Sequence, residues 1–593
     1  MHKTGYNSHL ALQTKLSSGK QGQLPLRTKY RTLVDALFSA PADRPFVTAW
    51  VDEDDQETAT FGEFCCRARA QARLLQDHGV SAGDRVVLIM PQGIPLMTGF
   101  VGAMLLGAVP AILAYPNFKV EPSKYRFGLA GVTANLQAKV VVIDRQFPNE
   151  LLGHVSLGEA QLLRASDAGV DSGDAELPDP RSQPDSLAFV QHSAGTTGLQ
   201  KGVALTHAAV LRHLEHLSAV LKIGERDIVY SWLPLYHDMG LIACFILPMV
   251  CHLHVVMQSP LDWVMHPDTM LQIFTDYKCT LAWVPNFAFQ FVPRRTPRER
   301  WQNYDLSSAR ALINCSEPVR MSSMNEFYTA FAPCGLKRSA LQASYAMAEN
   351  VFAVTQSGIH GKPGPEVIWA DGQRFRAEHR IARVVEGTPG ALSFTSSGQL
   401  LPNNRVQVVS DSGEVLKDGY VGEIVIQSDS LFQGYYNRPD LTAKAMRDGW
   451  YFTGDLGFCL EDEVYVVGRK KDLLIIGGEN IYPQDIEEIV CSHAAIHDGR
   501  AIAMGIFNPD LGTEDIVVVA EVEKEELLQH ADDIEREIRS SVVANMGVAV
   551  RTIFLKPPKW IVKSTAGKAA RSTTRDKLLK EHPELAVESW EKT

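Results

Sequence analysis

The chain has 593 residues, 45% hydrophobic and 21% charged, with 58 Lys and Arg against 69 Asp and Glu and a net charge of −11. Domains of about 100–200 residues would divide this length into several cores, the composition excludes a disordered chain, and the acidic balance argues against nucleic acid as a partner. The nine cysteines, including the adjacent Cys65 and Cys66, follow neither metal-ligand nor disulfide spacing and read as reduced thiols of a cytoplasmic protein.

Residues 1–28 are polar, lack an apolar signal core and read as an N-terminal extension of a chain that is not secreted. From Tyr30 to about Val467, short apolar runs such as Arg85–Ile89, Val140–Ile143 and residues 280–284 alternate with helical patterns such as residues 60–75. That alternation predicts an α/β fold of stacked βα units on mostly parallel sheets. Two longer apolar stretches, residues 98–115 and 241–257, approach the length of a membrane span, about 17–20 residues. Pro110 breaks the first, and Pro248, Cys251 and two histidines break the second, so both are expected to be buried helix-to-strand units and no membrane span is expected.

After Arg469 the pattern becomes helix, strand, helix, strand. Pro483 opens a helix on which Ile486, Ile489 and Val490 share a face, with Asp485, Glu487 and Glu488 suited to its positive end. A strand is expected at residues 516–522, then a helix carrying Ile534, Ile538 and Val542, a strand near residues 550–555, and a Lys-rich loop and helix. The chain therefore divides into a large unit over residues 29–468, a hinge at 469–472 and a small α+β unit over 473–593.

One loop stands out for its chemistry. Phe189-Val-Gln-His-Ser-Ala-Gly-Thr-Thr-Gly-Leu-Gln-Lys-Gly202 follows a strand-like run and gathers Ser193, Thr196 and Thr197 with Gly195, Gly198 and Lys201. Glycines let backbone N–H groups approach a polyphosphate, hydroxyls donate to it and a lysine adds charge. The spacing is not that of a P-loop. Taken alone, such a stretch is more often a plain turn.

The segment from Ser193 to Gly202 resembles the signature loop of the adenylate-forming superfamily, which contains acyl-CoA synthetases, luciferases, peptide-synthetase adenylation domains and fatty acyl-AMP ligases; Gln200 stands where the family has proline. Further similar segments follow in the family's order over roughly residues 30–575: Trp232-Leu-Pro-Leu-Tyr-His-Asp-Met-Gly240, Asn314-Cys-Ser-Glu-Pro-Val-Arg320, Ser344-Tyr-Ala-Met-Ala-Glu349, Gly449-Trp-Tyr-Phe-Thr-Gly-Asp455, Gly468-Arg-Lys-Lys-Asp472 and Ser564-Thr-Ala-Gly-Lys568. The resemblance implies a large N-terminal domain of βα layers with a small β-barrel-like subdomain near residues 400–467, and a mobile C-terminal domain.

It also implies roles. ATP is bound by Ser193, Gly195, Thr196, Thr197, Gly198 and Lys201, by Ser316 and Glu317, by Ser344, Tyr345, Ala346 and Met347, and at the ribose by Asp455 with Arg469. Glu349 and Thr196 are the Mg²⁺ ligands, and Lys568 brings an ammonium to the reacting carboxylate and α-phosphate. Nearby Lys563 reads as a solvated charge. His237 is a gate beside the acyl group, with a buried structural histidine as the bland reading. Lys471 is the pivot, with Asp472 next to it. Trp232, Trp283 and Phe287 suggest an apolar acyl pocket and hence a fatty or other hydrophobic acid.

Within the superfamily, Pro285-Asn-Phe-Ala-Phe289, Glu317-Pro-Val-Arg320, Phe331-Ala-Pro-Cys-Gly335 and Tyr482-Pro-Gln-Asp-Ile-Glu487 resemble fatty acyl-AMP ligases, whose acceptor is the phosphopantetheine thiol of an acyl carrier protein. Residues 358–395 resemble the insertion of that subfamily, which packs on the larger domain and hinders the arrangement that uses CoA; Trp369, Phe375 and Ile381 are its expected apolar anchors. The plain alternative is a surface loop of no consequence. Ile476-Gly-Gly-Glu-Asn480 looks more like acyl-CoA synthetases, so free CoA stands as the alternative acceptor. A non-catalytic nucleotide-binding homologue is the rival of another class; retention of Lys201, Glu349, Asp455 and Lys568 together speaks against it.

Overall fold

A computed structural model describes residues 29–52, 54–116, 122–165, 182–192, 201–358, 364–476, 479–508, 513–563 and 569–585. The expected extension at residues 1–28, the loop residues Ser193, Gly195, Thr196, Thr197 and Gly198, and Lys568 lie outside them.

Local sequence signals account for many element boundaries. Thr60 caps the helix Phe61–Asp77 in a reciprocal pair with Glu63: the Glu63 N–H donates to the Thr60 hydroxyl, and the Thr60 N–H donates to the Glu63 carboxylate. The strands Arg85–Ile89 and Val140–Ile143 lie where the apolar runs place them and pair in parallel within the order Val109–Ile112, Arg85–Ile89, Val140–Ile143, Gln161–Arg164. The two long apolar stretches resolve into buried helix-to-strand units. Ile94–Leu105 leads into Val109–Ile112, and Met239–Ile246 with Leu247–Cys251 leads into His254–Gln258. No helix among the described residues is long and apolar enough to cross a membrane.

The sheet that positions the site has the order Leu341–Ala343, Ala311–Asn314, Leu281–Val284, Ile228–Ser231, His254–Gln258, Pro45–Trp50, Gln56–Thr60. All neighbours but the last pair run parallel, so six strands deliver their carboxyl ends to one edge. Ligands of open α/β sheets bind outside such ends. The protein is thus a mixed α/β fold.

An antiparallel sheet follows in the order Thr355–Gln356, Gln399–Leu400, Glu463–Arg469, Trp450–Leu460, Gly422–Ser428, Asn404–Val409. A hairpin of Val367–Asp371 and Ala391–Thr395 carries the helix Gly372–Glu378 and covers this sheet. The expectation for its anchors needs one correction. Phe375, 1% exposed, and Ile381 are buried, but Trp369 is on the other face of its strand, and Ile368 and Ala370 take the inward positions. A strand turns alternate residues to opposite faces.

Beyond Arg469, buried side chains from Leu474 to Ile553 form a cluster of their own. Ile534, Ile538 and Val542 line the inner face of the helix Ala531–Met546, and Pro483 opens the helix Pro483–Cys491. The expected order of helix, strand, helix, strand omitted the short hairpin of Leu474–Ile476 and Glu479–Ile481 and the long strand Ile496–Asn508, which pairs antiparallel with Thr513–Val522. Gly499, Gly505 and a polar start deprive the long strand of the β-branched run that marks its partner.

Candidate active site

The carboxyl ends of the parallel strands open into a cleft of about 3650 Å³, several times the roughly 300–1,000 Å³ of a single small-molecule site. It has room for a nucleotide, a second substrate and a passage between the large sheet and the C-terminal elements. Lys201, Trp232, His237, Phe287, Ser316, Glu317, Ser344, Tyr345, Ala346, Met347, Glu349, Asp455, Arg469, Lys471 and Asp472 all line it.

Each strand end contributes by a simple local device. After Ile228–Ser231 the chain turns at Pro234, whose carbonyl accepts from His237 N–H (3.1 Å), and Asp238 caps the π-helix Met239–Ile246 by accepting from Met239 N–H (2.8 Å). Asp238 Oδ1 also lies 2.7 Å from His237 Nδ1, which fixes the ring. Gly240 is required here, because a Cβ would sit 2.3 Å from Pro234 O.

After Ala311–Asn314, Ser316 takes the left-handed conformation (φ +72°), and Glu317 Oε2 accepts from Phe287 N–H (3.0 Å). Glu317 therefore braces the turn that carries Phe287. After Leu341–Ala343, the Ser344 hydroxyl is spent on Thr355 O (2.8 Å), so its backbone is the part left to face a ligand.

Glu349, 9% exposed, follows in a short 3₁₀ turn and accepts from the Tyr435 hydroxyl at Oε1 (2.7 Å). The turn behind it is strained: Val351 has φ +63° and ψ −57°, and Phe352 N–H closes onto Asn350 O at 2.6 Å. A β-branched residue at positive φ costs on the order of 1–3 kcal/mol. Buried hydrogen bonds over-determine it: the Asn350 amide donates to Ala353 O (3.0 Å), and Ala353 N–H donates to His213 Nε2 (3.1 Å).

Asp455 and Arg469 face each other across the paired strands Trp450–Leu460 and Glu463–Arg469, with Arg469 Nε 3.2 Å from Asp455 Oδ1. Tyr345 OH donates to Asp455 Oδ2 (2.7 Å). The Asp455 charge raises the Arg469 pKa; burial, followed by that same charge, pushes the Tyr345 phenol well up. Asp455 therefore sits in a nest of donors. If Asp455 accepts from the ribose hydroxyls as the resemblance implies, removing it should weaken ATP binding roughly tenfold, the worth of a charged acceptor. Unchanged calorimetric affinity of Asp455→Ala for ATP would remove its ribose role.

The residues expected to form a hinge are anchored on both sides. Lys470 Nζ binds Asp411 (2.8 Å) and Glu423 (3.0 Å) of the antiparallel sheet, whereas Asp472 Oδ2 binds Arg571 (3.3 Å). Lys471 stands between the two anchors. Arg571 also pairs with Glu487 and donates to Ala503 O (3.0 Å), and a bridge between Lys563 and Ala569 closes the base of residues 564–568. Lys563 and Ala569 line the cleft, so Lys563 is not simply a charge on the outer surface.

Beside Phe287, Trp232, 6% exposed, stacks on Trp263 (3.7 Å between ring centroids, 2° between planes), and Phe287 stands edge-on to both. Trp283 does not belong to this wall. It is 1% exposed, packs edge-on to Phe352 and is absent from the cleft lining. Sequence reasoning also passed over Trp263, Arg571, Tyr435 and His192. Burial lowers the His192 pKa to about 4, so it lines the cleft as a neutral imidazole. Tyr435 lies in Gly434-Tyr-Tyr-Asn-Arg-Pro-Asp440, a turn-rich polar segment whose Gly and Pro were the available signal.

The sequence matches the AMP-binding enzyme family over residues 37–436. The chain belongs to that family. Its relatives include the 4-hydroxyphenylalkanoate adenylyltransferase of Mycobacterium tuberculosis, 28% identical with 96% of each chain covered. The medium-chain-fatty-acid–[acyl-carrier-protein] ligase JamA of Moorena producens is 29% identical, with 95% of this chain and 97% of JamA covered. Among solved structures, one from a study of fatty acyl-adenylate ligases of E. coli and L. pneumophila is 26% identical with a TM-score of 0.87, covering 95% of this chain and all of that one. The L. pneumophila fatty acyl-adenylate ligase bound to acyl adenylate and pyrophosphate is 28% identical with a TM-score of 0.71, covering 94% of this chain and 98% of that one. The protein is an adenylate-forming ligase, and its relatives include fatty acyl-AMP ligases.

Proposed function

We propose that the protein uses ATP to convert a fatty or other hydrophobic carboxylic acid to its acyl-adenylate with release of pyrophosphate, then passes the acyl group to the phosphopantetheine thiol of an acyl carrier protein. The observation that carries this reading is the gathering of Lys201, Glu349, Asp455, Arg469 and the flanks of Lys568 in one cleft with the aromatic wall of Trp232 and Phe287.

Attack of a carboxylate on the α-phosphate brings two anions together, so the site must neutralise charge and hold the line of attack. Asp455 and Arg469 fix the ribose end, Lys201 meets the phosphates, and Lys568 spans the carboxylate and the α-phosphate. His237, held by Asp238, stands at the acyl side. The loop hydroxyls of Ser193, Thr196 and Thr197 and the glycines Gly195 and Gly198 complete the phosphate cradle.

The residues present fit magnesium. Among the described residues no cluster of three or more His, Cys, Asp or Glu exists, and magnesium does not ask for one: it is held by one or two carboxylates plus substrate phosphates and water. Glu349 offers an oxygen beyond the one Tyr435 holds, and Thr196 is the proposed hydroxyl ligand. When bound, the ion supplies charge neutralisation at the phosphates and eases the departure of pyrophosphate.

After adenylation the unit from residue 473 is proposed to turn about Lys471, as the opposed anchors of Lys470 and Asp472 favour. The cytoplasmic setting rests on the reduced-thiol reading of the cysteines. Free CoA is the second reading, favoured by Ile476-Gly-Gly-Glu-Asn480 and by a putative acyl-CoA synthetase of Caulobacter vibrioides that is 30% identical over 77% of this chain and 80% of its own. A panel of acids assayed with holo carrier protein and with CoA in parallel tests the proposal. Carrier loading well ahead of acyl-CoA formation is expected, and equal rates would favour the CoA reading.

A further inference from the structure

Lys201 and Glu349 reach the cleft from different sheets, yet one segment, residues 432–436, touches both. Gln433 N–H donates to Ala204 O (3.0 Å) and Tyr436 N–H to Gly202 O (2.7 Å), binding the segment antiparallel to the strand Gly202–Thr206 that leaves Lys201. Phe432 N–H donates to the Glu349 backbone oxygen (2.9 Å). Between these anchors Tyr435, 4% exposed, does two things at once. Its hydroxyl donates to Glu349 Oε1 (2.7 Å), and its ring face lies 4.5 Å from the Lys201 ammonium. Tyr451 OH, 3.3 Å from Tyr435 OH, and the edge-on ring of Phe432 fix its orientation.

A phenylalanine would fill the same volume; only the hydroxyl reaches Glu349. With Oε1 held, the other carboxylate oxygen takes no hydrogen bond among the described residues and is the one left for a cation. The ring face attracts a cation through its quadrupole and so gives the Lys201 ammonium a seat rather than a range of rotamers.

We propose that Tyr435 is a positioning residue that sets the metal carboxylate and the phosphate lysine in fixed relation, its hydroxyl orienting Glu349 and its ring face seating Lys201. This deepens the adenylation reading and rests on it. It also makes the two roles separable, since the hydroxyl serves the magnesium-dependent part of nucleotide binding and the ring the part that does not need magnesium.

The test is calorimetric binding of an ATP analogue with a non-cleavable α–β bridge, with Mg²⁺ and with EDTA. The set is wild type, Tyr435→Phe, Tyr435→Leu, Glu349→Gln, Lys201→Ala and the Tyr435→Leu/Lys201→Ala double variant, with thermal unfolding as the folding control. Tyr435→Phe should keep the magnesium-free affinity within about twofold and lose roughly tenfold of the gain from Mg²⁺, the size of effect seen when a metal ligand loses its orienting partner. Tyr435→Leu should also lose roughly three- to tenfold of the magnesium-free affinity, a loss absent when Lys201 is already alanine. Full magnesium gain in Tyr435→Phe alongside its loss in Glu349→Gln overturns the proposed hydroxyl role, and additive losses in the double variant overturn the ring role. Full magnesium gain in Glu349→Gln overturns the metal assignment itself. If Tyr435→Leu fails to fold, the Tyr435→Phe comparison still decides the hydroxyl role.

Discussion

Lys568→Ala lowers acyl-adenylate formation by about a hundredfold or more, while transfer of the acyl group from supplied acyl-adenylate to the thiol stays within a few-fold. Charge stabilisation at a transition state is worth about that much per donor in a water-poor site, and only the first half-reaction brings a carboxylate against a phosphate. Pyrophosphate release and single-turnover transfer, measured separately, give the two rates. Equal loss in both would mean that Lys568 serves structure or general binding instead. Arg571, three positions after Lys568, pairs with Asp472 of the proposed hinge and with Glu487.

Removing the grip of residues 358–395 on the small unit raises acyl-CoA formation by roughly ten- to hundredfold without abolishing adenylation. The contact is specific. Phe375, on the helix Gly372–Glu378, packs on Phe394 (4.8 Å between centroids) and on Tyr482 (5.5 Å), which caps the first helix beyond the hinge. On the proposed account docking there would restrict where the small unit settles after adenylation, and each tenfold change in the competent population is about 1.4 kcal/mol, within reach of one buried aromatic side chain. Shortening the hairpin is the larger change; Phe375→Ala is the milder companion that leaves the cover over Phe458 in place. If both fold, adenylate normally and still use CoA poorly, the segment does not govern the choice of thiol.

Much of this architecture is readable from residue order. The strands at Arg85–Ile89 and Val140–Ile143, the cap at Thr60 and the proline-led helix at Pro483 follow from local pattern, because in each the hydrophobic face and the boundary residue agree. Asp455 and Arg469 stand fourteen positions apart in sequence and meet because their strands pair, a register that alternation alone does not give. Trp283 was misplaced for a related reason. Every residue of Leu281–Val284 is buried, so no period distinguishes the face that looks into the cleft from the one that looks into the core. Trp369 is the opposite case: it is apolar, but the alternation of Val367–Asp371 gives the inward places to Ile368 and Ala370. Tyr435 was missed because its partners, Lys201 and Glu349, are distant in sequence and meet it only through tertiary pairing.

The central claim is that this cleft joins a carboxylic acid to AMP before any thiol is involved. The most direct measurement is exchange of labelled pyrophosphate into ATP in the absence of CoA and carrier protein, as a function of added acid and of Mg²⁺. The account predicts exchange that saturates with a hydrophobic acid, requires Mg²⁺ and falls by about a hundredfold or more in Lys568→Ala. Exchange that is indifferent to the acid, or absent with every hydrophobic acid while ATP still binds, would contradict it and leave the cleft a nucleotide-binding site without the chemistry.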